Sequence, residues 1–356
     1  MKYKRVLFLL LIPISFILTQ LAKHNIYFVE FYALKIYPIF SFIIGNITSF
    51  VPFSVAEILV VFLVAFLFIY IIKVIVNTLK FKTIKYLKLF LLNMFSAVSI
   101  IYFLFVLFCG INYYRNEFTA YSGFEIKESS KEELIELCNN LIINANKLKQ
   151  NLNTDKDGGT ILFDENYYET SKRAKKSFNN ISQEYEILKG NYVLPKPVVL
   201  SRMMSYTRIT GVFFPFTFES NVNVDIPDYQ IPSTMCHELI HQKGFMREDE
   251  ANFISYLACI KSGQDDFAYS GTMLALTYSM NALYKEDYEA FKNLYAKYSD
   301  GVLNDLKISN DYWKQFETKT AEISNKVNDT YLKANNQEDG VKSYGRMVDL
   351  LLSYYR

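Results

Sequence analysis

Apolar positions along this chain change their spacing near residue 113: before it they run together, and after it they recur at the spacing of one helix face. Three of the runs approach or exceed the roughly 20 apolar residues that carry a helix across a bilayer. The first, Val6 to Leu21, follows Lys2, Lys4 and Arg5. Such a run can be a signal peptide, but no small-x-small cleavage site follows it cleanly, which favours an uncleaved anchor. The second, Val55 to Val76, holds only Glu57 and Lys73, both near its ends, where long side chains reach the interface. The third, Leu89 to Ile111, carries no charge. Between the first two, Ile26 to Phe53 is aromatic and apolar but interrupted by Pro38, Gly45 and Pro52, a pattern of interfacial or re-entrant segments.

The pattern after residue 113 is that of a water-facing domain. Ser130-Lys131-Glu132-Glu133 forms a capping box that opens an amphipathic helix to about Leu152, and a second helix runs from about Glu169 to Leu188. From Val193 to Asp225 the pattern turns to short β-like runs: Val198-Val199-Leu200, Gly211 to Phe218, and Val222-Asn223-Val224. Pro195, Pro197, Pro215 and Pro227 punctuate them, as expected for edge strands and turns. Helical spacing then returns over 233–243, 248–262, 265–283, 286–298, roughly 309–335 and 341–355. The predicted fold class is α+β. Three N-terminal transmembrane helices (about 6–21, 55–76 and 89–111, with 26–53 interfacial) make a membrane region at 1–113, followed by a mostly helical domain with one small β-sheet at 114–356.

Charge sharpens this division. Residues 1–113 hold ten Lys/Arg and two acids, a net +8, and the chain totals of 38 and 36 leave 28 basic and 34 acidic residues, a net −6, for 114–356. The acidic second region lacks the basic footprint of nucleic-acid binding. Lys2, Lys4 and Arg5, with Lys80, Lys82, Lys85 and Lys88, predict that those two ends face the cytoplasm. With three spans, residues 114–356 then fall outside it. Four cysteines in 356 residues do not make a disulfide framework, and Cys109, Cys138, Cys236 and Cys259 read as buried free thiols.

The candidate chemistry lies in His237-Glu238-Leu239-Ile240-His241. Histidines four apart lie on one helix face a turn apart, so His237 and His241 can grip one zinc ion, while Glu238 is rotated off that pair toward a zinc-bound water. Cys236 points about 100° away from His237 on a helix and reads as core. Ser233 is positioned to cap this helix and Gly244 to end it in the left-handed conformation. The flanking Thr234-Met235-Cys236 and Leu239-Ile240 make the helix largely apolar, and buried histidines and a buried glutamate need partners.

The chain's third histidine, His24, ends the first membrane run, so the remaining ligand is sought among carboxylates. The spacing from His241 to Arg247 imitates a three-histidine motif, but a guanidinium cannot bind zinc. Glu248, Asp249 and Glu250 follow at once. Acids are also favoured in a helix's first turn by the dipole alone. Glu248 shares a face with Asn252, as in the E-x-x-A-(D/N) helix of gluzincin-type peptidases, where the glutamate binds zinc. Glu248 is therefore the predicted third ligand and Glu250 the alternative, with Asn252 or Asp249 orienting a ligand from behind. Upstream, Phe216, Glu219, Asn221 and Asn223 are candidate substrate contacts on an edge strand beside the metal helix, the last three alternating onto one face.

The run from His237 to Phe253, Pro215-Phe216-Thr217 with Glu219, Asn221-Val222-Asn223, Pro52-Phe53-Ser54, and Tyr344-Gly345-Arg346 with Asp349-Leu350-Leu351 together resemble the bacterial membrane family known as domain of unknown function 3810. The resemblance covers nearly the whole chain. It implies three N-terminal spans and a zinc-peptidase-like, zincin-fold outer domain, and it supplies no substrate. The expected function is that of a membrane-anchored zinc metallopeptidase with Zn2+ as cofactor and Glu238 as general base. A peptide or protein substrate and the lipid bilayer are its expected partners. Two alternatives stand beside it: a non-catalytic membrane scaffold with structural zinc, and a zinc amidase acting on the cell envelope. Glu238 counts against the scaffold, because a structural site needs ligands but no base. Tyr256, Tyr278 and Arg247 are candidates for stabilising an oxyanion.

Overall fold

A computed structural model describes residues 2–163, 166–335, 337 and 345–356; the side chains of Lys2 and Lys4 lie outside the described residues. Among them, four helices are long and apolar enough to cross a membrane: Arg5–His24, Ile26–Ser49, Val55–Phe81 and Lys85–Phe108. The second differs from the interrupted segment expected from its prolines. Pro38 falls in the first turn of Tyr37–Ser49, where its missing N–H costs nothing, and the π-helical turn Tyr32–Ile36 joins that helix to Ile26–Phe31.

The Ile26–Ser49 segment lies against the second region along its length. Glu30 accepts hydrogen bonds from the Asn116 amide and the Tyr121 hydroxyl at one end. Tyr37 donates toward the carbonyls of His241 and Gln242 in the middle. Thr48 donates to the Thr217 carbonyl at the other end. Apolar packing follows the same line: Ala22, Val29, Tyr32 and Tyr37 share one buried cluster with Phe108 to Tyr113 and with Phe213, Phe218 and Met246. A core thus crosses the boundary that charge and hydropathy place near residue 113.

The Val55–Phe81 and Lys85–Phe108 helices form a hairpin, and Arg5–His24 packs beside the latter, with the Ser96 hydroxyl donating to the Arg5 carbonyl. Where the hairpin leaves the second region, the first turn of Val55–Phe81 is built into it. Ser54 caps the helix through the Glu57 amide, and the Glu219 carboxylate accepts from the Val55 and Ala56 amides at 3.1 and 2.7 Å. The Glu57 carboxylate returns the contact to the amides of Val199 and Leu200 at 2.9 and 2.8 Å.

The rest is a helical domain around a three-stranded sheet, ordered β1 (Lys196–Pro197), β3 (Glu219–Val222), β2 (Gly211–Phe214). β3 is central, parallel to β1 and antiparallel to β2, with Gly211 opposite Val222 and Phe214 opposite Glu219. The capping box at Ser130–Glu133 forms as expected. The long pattern over 309–335 resolves into Asp300–Lys314 and Lys319–Ala334, because Thr318 caps a new helix through the Ala321 amide. The helix expected over 341–355 is Arg346–Tyr355 among the described residues. Its partner across the core is Glu248–Ile260, which together with Asp265–Glu286, Tyr167–Ile181 and the sheet encloses the Ile231–Gln242 helix.

Candidate metal centre

The Ile231–Gln242 helix begins two residues earlier than its polar pattern suggests. Pro232 sits at its start, and Ser233, expected as the cap, instead donates its hydroxyl to the Gln230 carbonyl. Its end is as expected. Gly244 adopts φ of +92°, and the amides of Gly244 and Phe245 return to the carbonyls of His241 and Ile240 at 2.9 and 3.2 Å. This is a Schellman closure, which needs a left-handed residue at that position. A side chain on Gly244 would also meet the Tyr37 ring and the Asn112 amide at 3.1 Å. The closure reverses the chain so that Glu248, four residues after Gly244, opens the next helix beside His241.

His237, His241 and Glu248 converge. Their Nε2 atoms stand 3.0 Å apart, and the Glu248 oxygens lie 3.2 Å from His237 Nε2 and 3.5 Å from His241 Nε2. Ligands about 2.0–2.1 Å from a tetrahedral ion stand roughly 3.3 Å from one another. The donor chemistry agrees with this spacing. His237 Nδ1 faces the Asn252 side-chain oxygen at 2.9 Å, and His241 Nδ1 faces the Phe245 carbonyl at 2.8 Å. Oxygen acceptors put the protons on Nδ1, so both Nε2 atoms turn lone pairs toward a carboxylate. Three donor atoms at such distances could hold one cation between them. The side chains are 12%, 10% and 20% exposed, which leaves the cluster reachable from outside.

Burial disfavours the charged form of His241, but the hydrogen bond and charge of Glu248 outweigh it and raise its pKa to about 9. Burial likewise works against ionised Glu248, yet hydrogen bonds from both imidazoles and their charges hold its carboxyl well below the usual range. Glu238 is buried on the neighbouring side of the helix. Burial pushes its carboxyl up, the Phe213 amide hydrogen-bonds it, and its second oxygen has no protein partner. Gly211 is what lets β2 approach so closely: a Cβ there would lie 2.5 Å from the Glu238 carboxylate.

β2 is an outer strand of the sheet, and its outward side meets Glu238. The Asn223 amide bonds the Thr210 carbonyl, and the alternation of an antiparallel ladder then turns the backbone groups of Gly211 and Phe213 outward.

The remaining candidates separate clearly. Asn252 stands behind His237 as expected, and its amide also donates to the Tyr278 hydroxyl at 3.3 Å. Glu250 points away from the cluster. Its carboxylate accepts from the Phe118 amide at 2.5 Å, and burial raises its pKa to about 7. Asp249 turns to the first amides of its own helix, and burial raises its pKa as well. Arg247 pairs with Glu117, and Tyr256 shares a hydrogen bond with Tyr355, so neither faces the cluster.

The expected substrate contacts are taken up by the protein itself. Glu219 is fully buried, caps Val55 and Ala56, and pairs with Lys196 at 2.5 Å. Asn221 accepts from Ser54 at 2.6 Å, and Asn223 donates to Ser205 and to the Ile209 carbonyl. Phe216 packs on Phe214 and the cluster that joins the two regions. The reason is that β3 is central rather than at the edge, so its polar side chains meet neighbouring segments instead of a ligand.

Three tyrosines from distant segments lie within reach of the Glu248 charge. Burial raises the pKa of Tyr113, Tyr278 and Tyr331, and the Glu248 charge adds to the effect on each. Tyr278 was legible as a candidate; Tyr113 and Tyr331, which donate and accept across 2.8 Å, were not.

A family model matches residues 32–352 of this sequence. The chain belongs to the DUF3810 family. That family is described as protein of unknown function. The match extends from within the Ile26–Ser49 segment into the C-terminal helix, so it takes in most of the bracing apolar segment as well as His237, His241 and Glu248. Of the motif residues near the C-terminus, Tyr344 lies outside the described residues, while Asp349-Leu350-Leu351 sits on Arg346–Tyr355. No curated protein and no solved structure matches the chain.

Proposed function

We propose that this protein is a membrane-anchored zinc metallopeptidase whose catalytic domain lies outside the cytoplasm. One observation carries the reading: two imidazole lone pairs and a carboxylate converge while a separate buried carboxylate, Glu238, keeps an oxygen without a partner. His237, His241 and Glu248 would hold the ion. A bound zinc ion supplies a Lewis acid for the scissile carbonyl and a nucleophile from water at neutral pH. Glu238 takes the proton of the attacking water and delivers it to the leaving amine. The outward backbone groups of β2 other than the Phe213 amide, which Glu238 holds, pair with an extended peptide, and a hydroxyl from Tyr278, Tyr113 or Tyr331 donates to the carbonyl oxygen as it gains charge.

The domain's overall design supports a zincin-like arrangement, with a helix bearing both histidines, a second helix bearing the glutamate, and a sheet whose edge strand borders the first. Three membrane crossings fit the contacts better than four. Ile26–Ser49 is bonded to the domain at both ends and in the middle, so it lies along the domain surface. The end of the hairpin that carries Lys80, Lys82, Lys85 and Lys88 is then the cytoplasmic face by the positive-inside rule.

The test uses full-length protein in lipid nanodiscs: zinc content by elemental analysis, and turnover of a peptide library by wild type beside Glu238→Gln. Absence of bound zinc, or equal turnover by both proteins, removes the assignment.

A further inference from the structure

We infer that the surface beside β2, next to the His237–His241–Glu248 cluster, is seated in the outer leaflet, and that the site therefore takes polypeptides held at the membrane surface. This deepens, and rests on, the metallopeptidase reading for its substrate half.

The argument begins with the depth of the Val55–Phe81 helix. Its far end carries Lys80 and Lys82, and counting back about 20 residues from Leu79 puts the start of the hydrocarbon near Val60. Glu57 stands just above that level, and its carboxylate is bonded to the amides of Val199 and Leu200. Val199 also lines a groove of about 460 Å³ together with Ile58, Val61 and Phe62 of the helix. Val61 and Phe62 have already passed below the start of the hydrocarbon. The loop after β1 is thus fixed at the boundary between headgroups and acyl chains.

The surface at that level is apolar. Val199 is 81% exposed and Met203, on the Ser201–Ser205 helix, is 62% exposed; Leu200, Phe53 and Val212 are also exposed. Phe50, in the turn that leads into the Val55–Phe81 helix, is 87% exposed. A patch of this kind, continuous with a membrane-crossing helix, loses its exposure cost by entering the lipid. The occupant is the outer leaflet.

The same patch borders the site. Val212 belongs to β2, an outer strand. β2 runs from Phe214, opposite the Glu219 that caps Val55 and Ala56, to Gly211, which stands against Glu238. Three residues of strand span about 10 Å. The base of the proposed reaction is therefore roughly that far from the residues bonded to the first turn of the membrane helix. A substrate pairing with β2 must lie across this surface, where a chain anchored in the same bilayer is already concentrated.

The native cysteines are all buried, so single cysteines at Val199 and Met203 can be labelled selectively with an environment-sensitive fluorophore. A control label goes at Tyr288, on a helix packed against Lys131–Lys149 and Asp265–Glu286. In phosphatidylglycerol–phosphatidylethanolamine vesicles, spin-labelled lipid should quench Val199→Cys and Met203→Cys and spare Tyr288→Cys. Equal quenching at all three positions, or none, overturns the seating.

The second arm compares one cleavable sequence free in solution and coupled to a lipid. The lipid-coupled form should be cut at least tenfold faster, and Val199→Asp with Met203→Asp should narrow that ratio while the free peptide is cut at the wild-type rate. Equal rates for the two wild-type substrates overturn the substrate class. No hydrolysis of either by zinc-loaded protein sinks the metallopeptidase reading and the substrate class with it, while the quenching result still decides the seating.

Discussion

The Tyr37 hydroxyl reaches the carbonyl of His241 across 3.3 Å, joining a helix of the apolar N-terminal region to the last turn of the metal helix. The same hydroxyl lies 3.2 Å from the Gln242 carbonyl, and Gly244 leaves room for its ring. A helix end has carbonyls with no partner inside the helix; here that of Gln242 is satisfied from across the 113 boundary, while that of His241 also accepts from the Gly244 amide.

Tyr37→Phe should therefore cost about 1 kcal/mol of stability, the scale of a typical hydrogen bond. Removal of residues 1–113 should do far more, because it strips Tyr37, Tyr32, Phe108 and Ile111 from a core that also holds Phe213, Phe218 and Met246. The expected outcome is an aggregating or molten fragment 114–356, seen as loss of a cooperative thermal transition. A fragment melting like the full chain in nanodiscs would show that the junction is dispensable.

Metal binding should follow the geometry of the cluster. His237→Ala, His241→Ala and Glu248→Ala should each lower zinc affinity by orders of magnitude. Asn252→Ala, which frees His237 Nδ1, should weaken it about 10–100-fold. Glu250→Ala should retain the metal and instead destabilise the fold by about 1–3 kcal/mol, since the Phe118 amide loses its buried acceptor. Isothermal titration with zinc, beside thermal melts, separates the two effects.

Glu219 offers a contrast between substrate contact and scaffold. Glu219→Gln leaves Lys196 as an uncompensated buried charge and weakens the cap on Val55 and Ala56. Losing one partner of a buried pair costs about 3–5 kcal/mol. The variant should fold poorly, and whatever folds should show an unchanged KM. A stable variant with a raised KM would restore Glu219 to the substrate side.

The contrast shows what the sequence could reveal. His237, His241 and Glu248 were legible because helical periodicity converts spacing directly into direction, and a turn at Gly244 is written in one residue. Strand alternation says only that Glu219, Asn221 and Asn223 share a face. Whether that face meets a ligand or the start of another helix depends on strand order, which sequence does not carry. The interruption expected within Ile26–Ser49 does not form for a related reason: a π-helical turn before Pro38 lets the segment continue, and a proline pattern alone does not distinguish a joint from a break. Tyr113 and Tyr331 come within the field of Glu248 from segments far apart in the chain, so no local pattern marks them.

Gly211→Ala probes the approach of the edge strand. The added methyl would stand 2.5 Å from a Glu238 oxygen and 2.9 Å from its carboxyl carbon, so the strand or the glutamate must shift. A misplacement of about 1 Å in a reacting group costs on the order of 10²-fold in rate. Turnover should fall by that order while zinc content stays at the wild-type level. Unchanged turnover would mean that Glu238 does not work from its position beside β2.

Glu238 itself divides enzyme from scaffold, because it is the one motif residue that zinc binding does not require. As general base it would contribute about 10²–10⁴-fold in rate. Glu238→Gln keeps the shape, and the three ligands remain, so metal affinity should be unchanged. Burial raises the pKa of this carboxyl, so replacing it with a neutral amide removes a desolvation cost, and the variant should be as stable as wild type or more so. Hydrolysis should nevertheless collapse. A structural zinc predicts the opposite pairing: cells carrying Glu238→Gln would behave as wild type, while His237→Ala would behave as a deletion. That pair of phenotypes, measured side by side in one strain, would leave the zinc site standing and remove the peptidase.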